Sequence, residues 1–150
     1  MDELRVGNND GNMQYIVIKI GDESYGINIS YVENISRMVN IRRVPKVAPY
    51  LKGVINLRGE VVPVMSLRLK MGLEDDEYTK ATRIIILKLE QHGTIGVIVD
   101  EVKEVVTLTE EKIEKVSADA SLEHGNFVTS VGKCDDGLVS LLDLNVVATE

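Results

Sequence analysis

The residue types that can carry out chemistry are few and scattered in this chain of 150 residues. The two histidines, His92 and His124, stand 32 residues apart with no cysteine near either one. This spacing is unlike that of a metal site, so both are interpreted as solvated loop residues. Cys134 precedes two aspartates, which disfavour the thiolate that a nucleophile needs, and it is interpreted as a packing residue.

No other pattern of an active site is present. Gly53 and Gly59 are not followed by the Lys-Ser/Thr of a phosphate-binding loop. The acidic runs at 74–77 and 110–114 are typical of solvated surfaces rather than of a buried acid pair. We therefore predict no catalysis, no metal and no cofactor. The alternative that stays open is a small enzyme whose nucleophile is Cys134 or Ser66.

Composition excludes several classes of partner. The net charge of −7 and the pI near 4.9 argue against nucleic acid and against an anionic membrane surface. The apolar residues are mainly Val, Ile and Leu, with one Phe and no Trp, which favours a mostly β fold. No apolar run is long enough to span a membrane, Met1–Leu4 is unlike a signal peptide, and a single cysteine suits a reducing compartment, so we expect a cytoplasmic protein.

The stretch Tyr50–Gly72 has the clearest local pattern. Two apolar runs flank the polar segment Arg58-Gly59-Glu60, which predicts a β-hairpin with Gly59 at positive φ. Ser66 is a candidate N-cap for a short helix, and Gly72 is a candidate stop for it. The hairpin is expected to turn Asn56 and Arg58 toward solvent. A fixed guanidinium in an apolar setting is typical of a protein-binding hot spot.

The chain also repeats itself. At a spacing of 70 residues, apolar runs, polar turns and cap-type residues correspond in order, and at 77 residues a further strand and cap correspond: Ile16–Ile20 with Ile85–Leu89, Tyr25–Ile29 with Ile95–Val99, Ser30 with Asp100, Val32 with Val102, Ile35 with Val105, and Val61–Leu67 with Leu138–Leu144. Two copies of one unit predict two small barrels side by side. The approximate units are 14–80 and 81–150, after a flexible terminus at 1–13. Strands that are apolar on both faces, such as 84–87, must meet the other barrel or a partner.

The segment Tyr50–Val64 resembles the signature of the CheW-like family, the coupling proteins of bacterial chemotaxis, with its Asn-Leu-Arg-Gly tip and Val-Pro-Val strand. Positions from 26 to 109 resemble the family in the same order, and the resemblance covers about residues 14–148. It implies a pair of intertwined SH3-like five-stranded β-barrels with short connecting helices. It also implies a non-catalytic scaffold that links transmembrane chemoreceptors to the histidine kinase CheA, in the cytoplasm at receptor arrays.

The resemblance further implies two binding surfaces. A receptor helical hairpin is expected in the groove between the barrels, against Val32, Ile35, Gly53, Asn56, Leu57, Arg58 and Val105. The kinase regulatory domain is expected on barrel-end strands, for which Ile84, Ile86 and Leu89 are the candidates. The chain departs from the family at Asn34, where an acidic residue is common, and in the acidic loop Glu114–Ser121, which puts a second kinase contact there in doubt.

Another kind of binding module also remains possible. A free-standing SH3-like domain that recognises Pro-rich peptides, or a regulatory domain of another two-component pathway, would share the fold. A Pro-rich ligand needs an aromatic groove. The absence of Trp and the five scattered Tyr residues make the chain poorly equipped for that.

Overall fold

The computed structural model of the chain describes residues 12–117, 127–135 and 137–149. Strands dominate these residues, with two short α-helices and two 3-10 turns between them. In chain order they are β1 (Asn12–Ile20), β2 (Glu23–Asn28), a first 3-10 turn (Ile29–Tyr31), β3 (Val32–Arg37), β4 (Leu51–Leu57), β5 (Glu60–Ser66), α1 (Leu67–Lys70), β6 (Arg83–Leu89), β7 (Gly93–Val99), β8 (Glu101–Thr109), a second 3-10 turn (Glu110–Lys112), β9 (Ile113–Lys115), β10 (Val128–Cys134), β11 (Gly137–Leu142) and α2 (Leu144–Ala148).

The N-terminal boundary lies slightly earlier than predicted. Asn12 and Met13 belong to β1 and pair with Thr109 and Leu108, so they are not part of a flexible terminus. Residues 1–11 lie outside the described residues.

Local capping follows the sequence at both α-helices. Ser66 Oγ accepts a hydrogen bond from the Leu69 amide at 3.1 Å, and Gly72 follows α1 at φ +80°, as predicted. Asp143 caps α2 through the Asn145 amide. The cap predicted at Ser30 is wrong, because Asn28 Oδ1 accepts from the Ser30 amide and Ser30 itself lies within the 3-10 turn.

The two sheets exchange strands between the two copies of the repeat. One sheet has the order β8-β1-β2-β11-β10-β9, and the other has the order β3-β6-β7-β5-β4. Each sheet therefore takes its first two repeat strands from one copy and the remaining three from the other, and β9 is an addition. The expected mostly β fold with two SH3-like barrels is confirmed. The units 14–80 and 81–150 do not correspond to the two sheets, because β1 and β2 pair with strands of the second half.

Three apolar clusters follow from this exchange. The largest lies between the sheets and draws on both, through residues such as Ile18 and Ile27 from one sheet and Ile85 and Val97 from the other. Each barrel then has its own interior, one around Val62, Val64 and Ile84, the other around Val17, Leu108 and Leu141. Strands that are apolar on both faces thus meet the opposite barrel on one side and their own barrel interior on the other.

A backbone bridge closes the second barrel. The chain that follows β3 returns to β4, where Arg42 and Val54 exchange two backbone hydrogen bonds of 2.8 Å. Gly53 makes this approach possible, because it has φ +147° and a Cβ at this position would lie 2.1 Å from the Arg42 carbonyl oxygen. The close approach expected at Gly53 is real, and the group that approaches is the protein's own backbone.

We expect Gly53→Ala to destabilise the protein by more than the about 1–3 kcal/mol of an unfavourable φ alone, because the methyl group would also break the Arg42–Val54 bridge. Gly72→Ala is the matched control, since Gly72 has φ +80° and no atom within 4 Å of the added Cβ. Urea unfolding of both variants measures the difference. Equal losses of stability would show that the Arg42 contact contributes nothing.

Candidate partner-binding surfaces

The β4–β5 hairpin ends in a two-residue turn formed by Arg58 and Gly59. Leu57 pairs with Glu60, and the turn residues have φ +54° and +84°, which is the positive-φ pair of a type I′ turn. Asn56 Oδ1 accepts a hydrogen bond from the Gly59 amide at 3.0 Å. The predicted hairpin and the exposure of Asn56 and Arg58 are therefore confirmed.

Arg58 is an unusual residue for this position. A non-glycine residue in the left-handed region costs roughly 1–2 kcal/mol, and turns of this type favour Asn or Gly. Its guanidinium enters none of the salt bridges or side-chain hydrogen bonds of the described residues. The turn alone therefore does not account for an arginine here, whereas a contact outside the chain would.

The other predicted receptor contacts lie on sheet edges. Val32 and Ile35 are on β3, Asn56 and Leu57 are on β4, and Val105 is on β8, and all three strands are at the edge of their sheet. Ile35 is 39% exposed and Val105 is 51% exposed. These two residues are repeat equivalents, so the fold presents one apolar side chain from each barrel in the same way.

The edges of β3 and β8 both begin at the core between the barrels. Val32 packs against that core at the start of β3, and its repeat equivalent Val102 does so at the start of β8. Leu57 is half-buried against the interior of the second barrel. Gly53 is buried beneath Arg42 and offers no surface to a partner, so its part is to support the strand that carries the tip.

The residues predicted to contact the kinase are not on the surface. Ile84 and Ile86 are 0% exposed inside the second barrel, and Leu89 is 2% exposed in the core between the barrels. Their strand, β6, lies between β3 and β7. The surface placement expected for these three side chains is wrong, because a strand that is apolar on both faces is covered on both faces.

An ion pair that the sequence did not reveal links three connections of the fold. Asp100, between β7 and β8, accepts two hydrogen bonds from Arg68 of α1 at 2.9 and 2.8 Å, and a third from the Gly21 amide in the β1–β2 turn at 2.8 Å. The clamp, as we call Asp100, Arg68 and Gly21, thus joins a turn of the first sheet to the helix that follows a strand of the second. Asp100 resembles a helix cap in sequence, and nothing local distinguishes the two roles.

One carboxylate of the acidic connector departs from the solvated surface that was expected. Both carboxylate oxygens of Asp76 are buried without a donor in hydrogen-bond geometry. Burial raises the pKa of Asp76, and the neighbouring Ser66 hydroxyl and Lys52 ammonium offset this only in part. Asp75 beside it instead pairs with Lys52 at 2.8 Å.

A large groove lies beside the closing bridge, under the loop between β3 and β4. Its volume is about 1240 Å³. We call it the loop groove. The loop, α1, the start of β4 and the acidic connector all line it, with mostly apolar side chains that include Met38, Val44, Val47, Leu51, Leu69 and Tyr78.

The residues considered for catalysis have structural surroundings. The Ser66 hydroxyl is fully buried and caps α1. Cys134 is half-buried against the interior of the first barrel, as its interpretation as a packing residue predicted. His92 is exposed in the β6–β7 turn, and His124 lies outside the described residues. Within the described ranges no three His, Cys, Asp or Glu side chains are grouped as metal ligands, and no helix there is long and apolar enough to cross a membrane.

Comparison with known proteins agrees with this architecture. Residues 14–150 match the family model of the CheW-like domain. The chain is 36% identical over 132 residues to the chemotaxis protein CheW of Bacillus subtilis, covering 88% of this chain and 84% of that protein. It is 34% identical to the chemotaxis protein CheW of Helicobacter pylori, covering 89% and 80% of the two chains.

A solved structure shows the same fold. The scaffolding protein TtCheW from Thermoanaerobacter tengcongensis aligns with a TM-score of 0.80 at 30% identity, over 90% of this chain and 91% of that one. Two barrels that exchange strands, with an Asn-Leu-Arg-Gly turn at one hairpin tip, define a binding module. The chain belongs to the CheW-like domain family.

We expect Asp100→Asn to lower the free energy of unfolding by about 1–2 kcal/mol near pH 7, because charge-assisted hydrogen bonds are lost at a site that is only partly exposed. Burial alone would raise the pKa of Asp100, but the bonds from Arg68 and Gly21 outweigh it and hold the pKa below its ordinary value. A lowered carboxyl pKa stabilises the fold above the unfolded-state value, and this stabilisation is lost as pH falls through the folded-state value.

The difference between wild type and Asp100→Asn should therefore shrink on acidification below about pH 4. Urea unfolding at several pH values measures it. Asp22→Asn, at an exposed residue of the β1–β2 turn, is the control and should have little effect. A deficit of Asp100→Asn that stays constant down to pH 2 would contradict the assigned role of the charge.

Proposed function

We propose that this protein is a non-catalytic chemotaxis scaffold that couples transmembrane chemoreceptors to the histidine kinase CheA. The observation that supports it most directly is Arg58, an exposed arginine held at positive φ on the tip of a rigid hairpin, with no partner among the described side chains. Membership of the CheW-like family supports the same role. In this proposal the protein acts at receptor arrays on the cytoplasmic side of the membrane.

The proposed receptor contact is the groove between the barrels. Ile35 and Val105 supply apolar surface from the two sheet edges, while Val32 and Leu57 form the partly covered base of each side. Arg58 and Asn56 stand at the tip and set the register of a bound helical hairpin through directional hydrogen bonds. A small apolar contact with one fixed cation gives a modest affinity, which many copies in an array would multiply.

The proposed kinase contact requires exposed apolar side chains, which the buried residues of β6 do not provide. Val61 on β5 is 65% exposed and Leu138 on β11 is 66% exposed, the two most exposed large apolar side chains described. They are repeat equivalents at the start of the second strand of each hairpin. A related barrel of the kinase could cover either of them, and we assign that contact to this pair.

Recognition of Pro-rich peptides is not favoured. Tyr15 and Tyr25 are buried, and the ring of Tyr50 is covered by Lys70 Nζ, 4.0 Å from its centroid. Tyr31 and Tyr78 are exposed on separate segments, the 3-10 turn and the connector. The aromatic floor that such ligands need is therefore lacking in the described residues.

Arg58→Gly separates the binding role of the tip from its folding role. Glycine suits the type I′ turn, so we expect stability to be unchanged or to rise by up to about 1 kcal/mol. Receptor-dependent stimulation of CheA in a reconstituted assay should nevertheless be lost, and Arg58→Glu should lose it too. Arg58→Lys, which keeps the charge but not the planar fork, should retain part of it. Wild-type stimulation by Arg58→Gly would rule out the docking role.

Ile35→Asp and Val105→Asp should each weaken receptor binding at least tenfold, because each places a charge in the buried part of the contact. Val61→Asp is the matched control, with an equally drastic change at an exposed apolar residue outside the groove. It should leave receptor binding unchanged and weaken binding to the CheA regulatory domain. Sedimentation with receptor-containing membranes and titration with the kinase domain measure the two contacts. Loss of receptor binding in Val61→Asp would refute the division into two surfaces.

A further inference from the structure

The charges of this acidic protein are distributed very unevenly. Residues 34–59 contain six Lys or Arg and no Asp or Glu, whereas the other 124 residues contain 11 Lys or Arg and 24 Asp or Glu. Five of the six cations lie on the loop between β3 and β4 and on the hairpin it joins: Arg42, Arg43, Lys46, Lys52 and Arg58. We call residues 34–59 the basic segment.

Most of these cations are not neutralised within the protein. Lys52 pairs with Asp75 at 2.8 Å. Arg43 and Lys46 enter none of the ion pairs or side-chain hydrogen bonds of the described residues. Both line the loop groove. The groove therefore has two uncompensated positive charges on a wall that is otherwise largely apolar.

The apolar lining is exposed rather than packed. Val39, Val44 and Val47 are each more than one-third exposed, and Tyr78 across the groove is 51% exposed. A volume of about 1240 Å³ exceeds the range of about 300–1,000 Å³ that is usual for small-molecule pockets. The lining is also concave, with Leu51 and Leu69 on its walls, so a flat bilayer would not reach it.

The loop is held in shape without a ligand. It is tied to β4 by the Arg42–Val54 bridge and by the Leu51 amide, which donates to the Ala48 carbonyl at 3.0 Å. Pro45 and Pro49 restrict its backbone, and Lys46 between them has φ +62°. A preformed groove loses little conformational entropy when a ligand binds.

From these observations we infer that the loop groove is a second docking site, whose ligand is an acidic segment of a partner protein that carries aliphatic side chains. The aliphatic groups cover Val39, Val44, Val47 and Tyr78, and the carboxylates pair with Arg43 and Lys46. The surrounding charge of the basic segment speeds the encounter and makes it dependent on salt. This inference does not rest on the proposed receptor contact, since Arg43 and Lys46 are not part of it.

The test begins with a displayed library of random dodecapeptides selected on the full chain. The expected winners are rich in Asp or Glu together with Leu, Ile or Val. Nuclear magnetic resonance titration of a selected peptide should shift amides of residues 38–52, and raising the salt concentration from 50 to 300 mM should weaken binding several-fold.

The double variant Arg43→Glu/Lys46→Glu should reduce the affinity for that peptide at least tenfold. Lys88→Glu/Lys112→Glu, with the same change of net charge at exposed lysines elsewhere, should not reduce it. Thermal melting confirms that both variants are folded.

Three results would overturn the inference: no enrichment of acidic-aliphatic peptides, peptides that map away from residues 38–52, or equal loss of affinity in both double variants. Binding of phosphatidylserine vesicles that Arg43→Glu/Lys46→Glu abolishes, without peptide enrichment, would assign the basic segment to a lipid surface instead.

Discussion

Parallel pairing between the two copies of the repeat is the constraint on which the rest of the fold depends. β2 pairs with β11, and β5 pairs with β7, and these are the parallel pairs between the strands described here. Gly26 and Gly96 lie at these seams at equivalent positions. A Cβ at Gly26 would lie 2.7 Å from Leu141 Cδ2, and one at Gly96 would lie 2.9 Å from Ile84 Cγ2. Each seam thus closes only because a side chain is missing where the barrel interior is narrowest.

This seam also decides where the binding surfaces lie. Because each sheet needs strands from both copies, the barrels share a core and hold a defined orientation. The edge strands β3 and β8 then flank the groove in equivalent positions, and the clamp ties the turn of one sheet to the helix of the other. Exposed apolar side chains occur as equivalent pairs, Ile35 with Val105 and Val61 with Leu138. The tip of Arg58 has no such equivalent.

Local features could be predicted from the sequence because they depend on neighbouring residues. The hairpin, the cap at Ser66, the stop at Gly72 and the repeat itself are all confirmed. The strand exchange could not be predicted, because pairing within one copy and pairing between copies satisfy the same apolar pattern. For the same reason Ile84, Ile86 and Leu89 could be identified as needing cover, while the surface that covers them could not. The loop groove was missed, although the absence of acids from 34–59 is visible in the sequence.

Strand exchange also has a consequence in time. Ile16 on β1 pairs with Val105 on β8, so the first strand lacks its neighbour until 89 further residues have been made. At about 5–20 residues per second, this interval is roughly 4–18 seconds during synthesis. Throughout it the apolar faces of β1 and β2, including Ile18 and Ile27, which are 0% exposed in the folded protein, have no core to enter. The geometry that makes the two barrels one rigid unit is therefore also the one that leaves the nascent chain open to aggregation for longest.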